Sequence, residues 1–551
     1  MKKQILIGTD SFDKLRESDF FYVDKSLFIK ELLEKRGEAT LITRPRRFGK
    51  TLNLWMLNSF FNIRKDNRHL FNGLKIMEHQ DIIDKYLNKY PTIFLSLKSV
   101  EEETYNEVID NVRGMIGTIF RNNLFLMDSD KLDDSQKQKF NKFYREKATI
   151  KDLKESLQFL CECFYAHYQK RTIVLFDEYD VPLNSANREG YYPKMIKFMR
   201  SFMGNIFKSN EYLEFGVLTG CLRISKEGLF SSFNNPKICV IMDEDFATYF
   251  GFTEDEVKEA CEQYEVSDKY DEVKAWYNGY RFGGIDMYNP WSITYYLSRN
   301  KFEIYWVNTG STDLLEDMFY KGDENLRNDL AGLLTDKPIQ MKLEDTFTYP
   351  IDNVSSNKFW SLFLYAGYIK PCNGAKQGKF FAELVNYEIK YIFSKYAEEW
   401  ISKIKPKASK AAVEFVKYLL LGDVEKVSEI LNNDILKTPS YHDFKEENSY
   451  HMFIFGILLA VAEEYVVVSN QESGEGRSDC MIKPHDKNKY AAVIEFKHVR
   501  NPSVPLKQIA EEGLLQIEEK SYMQTLKNEG YEKIYKFSIA FYKKKCEVVM
   551  G

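Results

Sequence analysis

The 551-residue sequence has no CxxC pair, no long apolar run and no low-complexity tract, and its formal net charge of -5 is small for its size. Each shortage excludes something. The eight cysteines (Cys161, Cys163, Cys221, Cys239, Cys261, Cys372, Cys480 and Cys546) repeat no spacing, which argues against a disulfide framework or a zinc site and fits a reducing cytoplasm. The most apolar stretch, Met452 to Ala462, is too short to cross a bilayer and reads as a buried helix. Met1 to Asp10 lacks the apolar core of a signal peptide. The expectation is a soluble cytoplasmic protein with no membrane partner. So small a net charge neither requires nor excludes nucleic acid, because an acidic body can carry a local basic groove. Aromatic residues are 15% of the chain, but they and the basic residues are too evenly scattered to mark a groove. What is present is an ordinary globular balance, 44% hydrophobic and 29% charged, over a length that predicts about three or four structural units.

Chemistry enters at Ala39 to Thr43, a short β-prone run that leads into Arg44-Pro45-Arg46-Arg47-Phe48-Gly49-Lys50-Thr51 and then the helix formers Leu52 to Phe61. Strand, loop and helix ending in Gly-Lys-Thr is the setting of a P-loop. Backbone N–H groups from Arg46 to Thr51 would hold phosphate oxygens at the helix N-terminus. Lys50 would bridge the β- and γ-phosphates and Thr51 would complete a Mg²⁺ shell. Arg44 departs from the usual pattern, which has glycine there, and an ordinary basic loop is the competing reading. Arg171 to Phe176 reads as a buried strand ending in Asp177-Glu178-Tyr179-Asp180, the Walker B arrangement. There Asp177 would hold Mg²⁺ through water and Glu178 would polarise the attacking water. The two elements occur in the correct order, which counts for as much as their residues. Leu213 to Leu218 reads as a further parallel strand ending at Thr219-Gly220, a position that senses the γ-phosphate. Arg223, just beyond, is a candidate for transition-state charge in cis or across a subunit interface, set against a plain surface arginine.

Phe21-Tyr22-Val23-Asp24-Lys25-Ser26, the Arg44–Thr51 loop, Asp177–Asp180 and Trp276-Tyr277-Asn278-Gly279-Tyr280-Arg281-Phe282 together resemble the AAA-ATPase-like family of prokaryotes. In that family the Arg-Pro-Arg-Arg-Phe-Gly-Lys loop is itself the pattern. The resemblance implies that Tyr22 to Ser26 lies near the nucleotide base. It also implies a helical lid from about Asp243 to Asp336, with Arg281 as a second arginine for the phosphates.

Between the halves, Asn357 to Tyr368 predicts a helix ending at Gly367, and Tyr368–Lys370 with Lys379–Leu384 predicts a hairpin. Helix plus hairpin fits a winged-helix module, but no basic recognition helix stands out and a structural connector is the better reading. Two helical stretches follow, Asn386 to Lys403 and Ala408 to Leu421, with Pro406 as the break between them. In the last part a long helical pattern, Glu446 to Glu463, precedes three β-prone runs. The second run carries Asp479 and the third carries Glu495-Phe496-Lys497. Period-two alternation puts Glu495 and Lys497 on one face, within reach of Asp479 on the adjacent strand. Two carboxylates on a divalent cation beside a lysine suit phosphodiester hydrolysis; the competing reading is a solvated strand face.

This segment resembles the PD-(D/E)XK nuclease domain often fused behind the same ATPase family. The resemblance implies roles for Gln516 and Tyr522 in the following helix region, and for Glu447, Tyr450 and His451, with Glu447 as a further metal carboxylate. The likeness is strongest at residues 20–55, 171–235, 270–292 and 445–523. The expected fold is α/β throughout: an AAA+-like P-loop core (1–240), a helical lid (241–340), a connector, winged-helix-like in outline (341–405), and a PD-(D/E)XK restriction-endonuclease-like domain (406–551). The expected activity is ATP-driven or ATP-gated cleavage of nucleic acid, DNA ahead of RNA, with ATP and Mg²⁺ or Mn²⁺, in defence or control of mobile elements. A homo-oligomer and a protein activator remain open as partners. Two alternatives stay in play: a regulatory ATPase with a silent nuclease fold, and an ATP-sensing switch that works through a protein partner.

Overall fold

Ala39–Thr43 is buried at every position and forms strand β1, the centre from which the first sheet is built. The computed structural model describes residues 2–224, 229, 236–306, 324–334, 337–344, 355–372, 379–393, 406–436, 465–473, 476–499, 504–543 and 545–551. β1 is joined by β2 (Thr92–Ser96), β3 (Thr172–Asp177), β4 (Leu213–Gly220) and β5 (Lys237–Cys239) in the order β2-β3-β4-β1-β5. Every neighbouring pair is parallel. A parallel sheet covered on both faces selects continuous apolar runs, and β3 is likewise buried along its whole length. The strand β4 lies between β1 and β3, so the phosphate-loop strand and the acidic strand are not neighbours. Ile42 pairs with Thr219 and Phe176 with Leu218, which brings the ends of all three strands to one edge of the sheet. In open α/β sheets that carboxyl edge is where ligands bind.

Among the described residues, the stretch expected as a helical lid has four α-helices (Glu254–Gln263, Tyr270–Tyr277, Pro290–Arg299 and Glu324–Leu334) and also a small antiparallel sheet. The sheet is formed by β6 (Phe252–Thr253), β7 (Tyr280–Phe282) and β8 (Ile285–Tyr288), in the order β6-β8-β7. The turn at Gly283-Gly284 explains the added strands: both glycines have positive φ, 53° and 82°, which suits a tight hairpin between β7 and β8. An aromatic core that includes Tyr277, Tyr288 and Tyr296 holds the first three helices to this sheet. Residues 307–323 of the expected lid lie outside the described residues.

The connector region contains β9 (Ile339–Lys342) and the helix Ser356–Ala366, closed by Gly367 at φ 88°. The strands β10 (Ile369–Pro371) and β11 (Lys379–Leu384) follow as an antiparallel pair, and the sheet order is β10-β11-β9. Pro406, expected as a break between helices, is the first residue of the helix Pro406–Leu420, where its missing N–H has no helical partner to lose.

The chain divides into two units, Met1–Leu314 with Gln340–Glu388, and Leu315–Ile339 with Ile389–Gly551. The second carries a mixed sheet of β12 (Tyr465–Ser473), β13 (Gly476–Pro484), β14 (Ala491–His498), β15 (Ile534–Tyr542) and β16 (Lys545–Met550), in that order. Only β14 and β15 pair in parallel, and the helix Leu506–Glu519 makes the crossover such a pair requires. Met481, Val493, Ile517 and Tyr522 pack between that helix region and the sheet. The helix expected over Glu446 to Glu463, with Glu447, Tyr450 and His451, falls outside the described residues. Among the described residues no helix is long and apolar enough to cross a membrane, and all eight cysteines are free.

Candidate functional site

The loop between β1 and the helix Lys50–Phe61 is held from both ends. Gly49 stands at the helix start with φ 81°, a left-handed conformation that a residue with a Cβ adopts at a cost. The ammonium of Lys50 is almost fully buried and donates to the carbonyls of Arg44 (3.0 Å) and Pro45 (2.9 Å), with Cys221 Sγ at 3.5 Å. Arg44 is a structural residue. Its guanidinium is fully buried, donates to the carbonyls of Thr43, Cys239 and Asp245 at 2.8, 3.3 and 3.2 Å, and stacks near Phe250 and Phe282. Burial pushes its pKa down to about 10. The position that usually takes glycine here takes an anchor. Phe48 is fully buried against Tyr280 (4.7 Å between ring centres) and Phe282 (5.1 Å). Arg47, at φ 65°, lays its guanidinium 4.0 Å from the centre of the Trp291 ring.

Asp177, fully buried at the end of β3, collects three hydroxyls. Thr51 Oγ1 (2.9 Å) and Ser96 Oγ (3.2 Å) donate to one carboxylate oxygen, and Thr219 Oγ1 (2.7 Å) donates to the other. Thr51, Asp177 and Thr219, expected from separate motifs, thus form one cluster, and Ser96 joins it without a sequence signal beyond its place at a strand end. Glu178 follows at φ 50°. Burial pushes its carboxyl up, opposed by the Lys50 charge. Burial lowers Arg46, but nearby Cys221, Asp180 and Glu178 more than offset this and leave its pKa raised.

The last two residues of Asp177-Glu178-Tyr179-Asp180 do work that the Walker B reading does not explain. Asp180 accepts the backbone N–H groups of Cys221 (2.9 Å) and Leu222 (3.0 Å), and Tyr179 donates its hydroxyl to Leu222 O (2.5 Å) while accepting from Ile224 N (3.1 Å). Gly220 permits this approach, because a Cβ there would lie 2.7 Å from both Asp180 Oδ1 and the Tyr179 ring. Together they fix the loop that carries Arg223. That arginine is half-buried, and its Nε has no hydrogen-bond partner among the described residues.

Arg281 and the Tyr22–Ser26 segment, both expected near the nucleotide, make contacts of their own. In β7, Tyr280 and Phe282 face Phe48, so period-two alternation turns Arg281 to the opposite face. There it pairs across the hairpin with Asp286 (3.6 Å) and donates to Gly284 O. The Tyr22–Ser26 segment braces its surroundings, with Lys25 and Ser26 buried and Tyr22 to Asp24 half-buried. Tyr22 donates its hydroxyl to Met56 Sδ (3.4 Å), Asp24 accepts from Lys75 N (2.8 Å), and Lys25 pairs with Glu256 (2.6 Å) and donates to Thr248 O (2.7 Å).

In the second unit, Asp479 Oδ2 accepts the backbone N–H of Phe496 at 2.7 Å. The carboxylate takes up a strand donor where the β13–β14 pairing ends, at Cys480 and Ile494. Glu495 is almost fully buried, and Lys497 Nζ donates to it at 2.8 Å and to Gln516 Oε1 at 2.7 Å. Gln516 in turn donates to the Tyr522 hydroxyl at 3.1 Å. Gly513 makes this contact reachable, since a Cβ there would overlap Ser538 Oγ and lie 3.3 Å from Lys497 Cγ. No motif marks Gly513; a glycine inside a helical pattern is the only hint, and it means close packing. Among the described residues no group of three or more His, Cys, Asp or Glu forms a metal cluster. Asp479 and Glu495 are a pair, and the expected third carboxylate, Glu447, lies outside the described residues.

A parallel sheet with a Lys-Thr loop and a buried aspartate at its carboxyl edge defines a P-loop-type nucleotide domain, and the mixed sheet with Asp479, Glu495 and Lys497 defines a nuclease-type fold. Comparison with known proteins agrees with both. Residues 6–230 match the AAA-ATPase-like family, described as predicted AAA-ATPase, and residues 445–550 match the PD-(D/E)XK nuclease superfamily. The chain thus carries an AAA-ATPase-like domain followed by a PD-(D/E)XK nuclease superfamily domain. A relative from Azotobacter chroococcum mcd 1, named only by its position in the vnfD 5′ region, is 29% identical over 323 residues. That match covers 58% of this chain and 56% of the relative, so the chain spans just over half of the relative's length.

Proposed function

We propose that the protein is an ATP-gated, metal-dependent nuclease that cuts phosphodiester bonds in nucleic acid, DNA ahead of RNA. The observation that carries this reading is Lys497, held between Glu495 and Gln516 beside Asp479, in a chain whose Lys50, Thr51 and Asp177 are also brought together. The donor set at Asp479 and Glu495 has no thiolate or imidazole, so it suits a hard dication, Mg²⁺ or Mn²⁺. Bound there, the dication would polarise the scissile phosphate and lower the pKa of its water. Lys497 would orient the nucleophile, and Gln516, itself directed by Tyr522, would fix the ammonium in place. In the first unit Lys50 would exchange its loop carbonyls for nucleotide phosphates, Thr51 and Asp177 would hold the nucleotide's Mg²⁺, and Glu178 would align water. Arg223 would meet the charge that develops on the phosphoryl group.

The test is cleavage of labelled DNA and RNA with Mg²⁺ or Mn²⁺, with and without ATP, by wild type, Lys497→Ala and Lys50→Ala. Cutting should vanish in the first variant and lose its nucleotide dependence in the second. ATP hydrolysis without any strand cut would refute the nuclease half and favour a regulatory ATPase. Cutting indifferent to nucleotide in the wild type would refute the gate. The biological role proposed is prokaryotic defence or control of mobile DNA, which rests on the domain pairing alone. Equal phage plaque counts with wild type and Lys497→Ala would argue against it.

A further inference from the structure

A loop that binds phosphates through backbone N–H groups must keep its peptide planes in set orientations. Glycine-rich loops reach those orientations freely, but here Arg44, Pro45, Arg46, Arg47 and Phe48 all carry side chains, and Arg47 sits at φ 65°. A non-glycine residue there is strained and stays only where its surroundings enforce it. One contact acts on the Arg46–Arg47 peptide plane directly: the indole N–H of Trp306 donates to the Arg46 carbonyl at 3.1 Å. In a trans peptide the C=O and the following N–H point in opposite directions. Holding the Arg46 carbonyl toward Trp306 therefore aims the Arg47 N–H away from it.

Trp306 is itself fixed. It is buried, with the Tyr368 ring 4.9 Å away, and its own backbone N–H donates to Glu388 Oε1 at 2.7 Å. The same oxygen accepts from Tyr305 N at 2.6 Å, and the other accepts from Ser292 Oγ at 2.8 Å. A fully buried carboxylate with three donors is a rigid post. Glu388 is also the last residue of the first unit.

We propose that Trp306, seated on Glu388, is a positioning residue that turns the Arg46–Arg47 peptide so that its N–H meets nucleotide phosphate. The inference rests on the reading of this loop as the nucleotide site, and it adds a relay from the loop to the residue where the first unit ends. Such an interaction is made with bound nucleotide and transition state alike, so it acts on binding more than on the chemical step.

The experiment uses the full chain. Trp306→Phe keeps a ring in the pocket and removes the donor, and Glu388→Gln keeps the shape and removes the charge. Steady-state ATP hydrolysis and binding of a fluorescent ATP analogue are measured for each, with thermal unfolding alongside. For Trp306→Phe the KM for ATP should rise about tenfold, equal to about 1.4 kcal/mol at 25 °C, while kcat stays within about twofold because the lost contact is uniform binding. Glu388→Gln should shift KM in the same direction by a smaller factor, which keeps the test open should Trp306→Phe fold poorly. A KM within about twofold of wild type in both well-folded variants, or a kcat that falls without any change in KM, would overturn the proposal. If the wild type binds no nucleotide, the nucleotide-site reading fails first and this inference falls with it.

Discussion

Gly513 is the position at which the nuclease geometry is most open to a single-atom test. An alanine there would place a Cβ well inside contact distance of Ser538 Oγ, 3.1 Å from Ser538 Cβ and 3.3 Å from Lys497 Cγ. Ordinary carbon contacts lie at about 3.5–4.0 Å, so the helix Leu506–Glu519 would have to retreat by about 1 Å. That movement pulls Gln516 from Lys497, whose ammonium depends on a 2.7 Å bond to it. A misplacement of about 1 Å in a catalytic arrangement costs on the order of 100-fold in rate. Stability should change far less: overpacking costs about 1–3 kcal/mol, and replacing a helical glycine by alanine returns about 1 kcal/mol. The assay is single-turnover cleavage of labelled DNA beside ATP hydrolysis by the same preparation. Cutting should fall about 100-fold with ATP hydrolysis unchanged. Ser538→Ala supplies the control. The Ser538 hydroxyl is buried and has no hydrogen-bond partner among the described residues, so its removal alone should be silent. In the double variant the hydroxyl overlap is gone and most cutting should return. Wild-type cutting by Gly513→Ala, or no recovery in the double variant, would refute the reasoning.

Three further outcomes are expected. Arg44→Gly restores the usual P-loop glycine, yet it removes a buried guanidinium bonded to three carbonyls; urea unfolding should show a loss of about 2–4 kcal/mol and no gain in ATP affinity. Tyr179→Phe leaves Leu222 O and Ile224 N without their hydroxyl partner; the cost should be about 1–3 kcal/mol, with slower ATP hydrolysis as the Arg223 loop loosens. Glu254 is held down to about 2 by the hydrogen-bonded ammoniums of Lys274 and Lys258, against an ordinary value of 4.5. Its folded pKa lies below its unfolded one, so its contribution to stability is present above pH 4.5 and fades as pH falls toward 2. Glu254→Gln should therefore flatten the acid limb of the urea midpoint over that window, and an unaltered limb would show that the lysine pairing carries no stability.

Much of this protein was legible in one dimension because its main signals are local. The strand, loop and helix around Gly49-Lys50-Thr51 lie within one short segment, and so does the buried strand ending at Asp177. The two-residue spacing of Glu495 and Lys497 is a property of any extended strand, so their shared face followed from period alone. What the sequence could not decide is which distant atoms meet. The resemblance made Arg44 part of the loop's pattern, but only the fold shows why, with Cys239, Asp245, Phe250 and Phe282 around it. The resemblance put Arg281 near the phosphates; that it pairs with Asp286 while its neighbours pack on Phe48 is visible only in the fold. Tyr179 and Asp180 read as ends of a Walker motif, but their partners are more than 40 residues away in sequence. The insertion of β4 between β1 and β3, the overlap that only Gly513 avoids, and the reach of Trp306 to Arg46 across 260 positions are likewise tertiary facts. Local periodicity sets which way a side chain points from its own strand or helix; only the packing of remote segments sets what it touches.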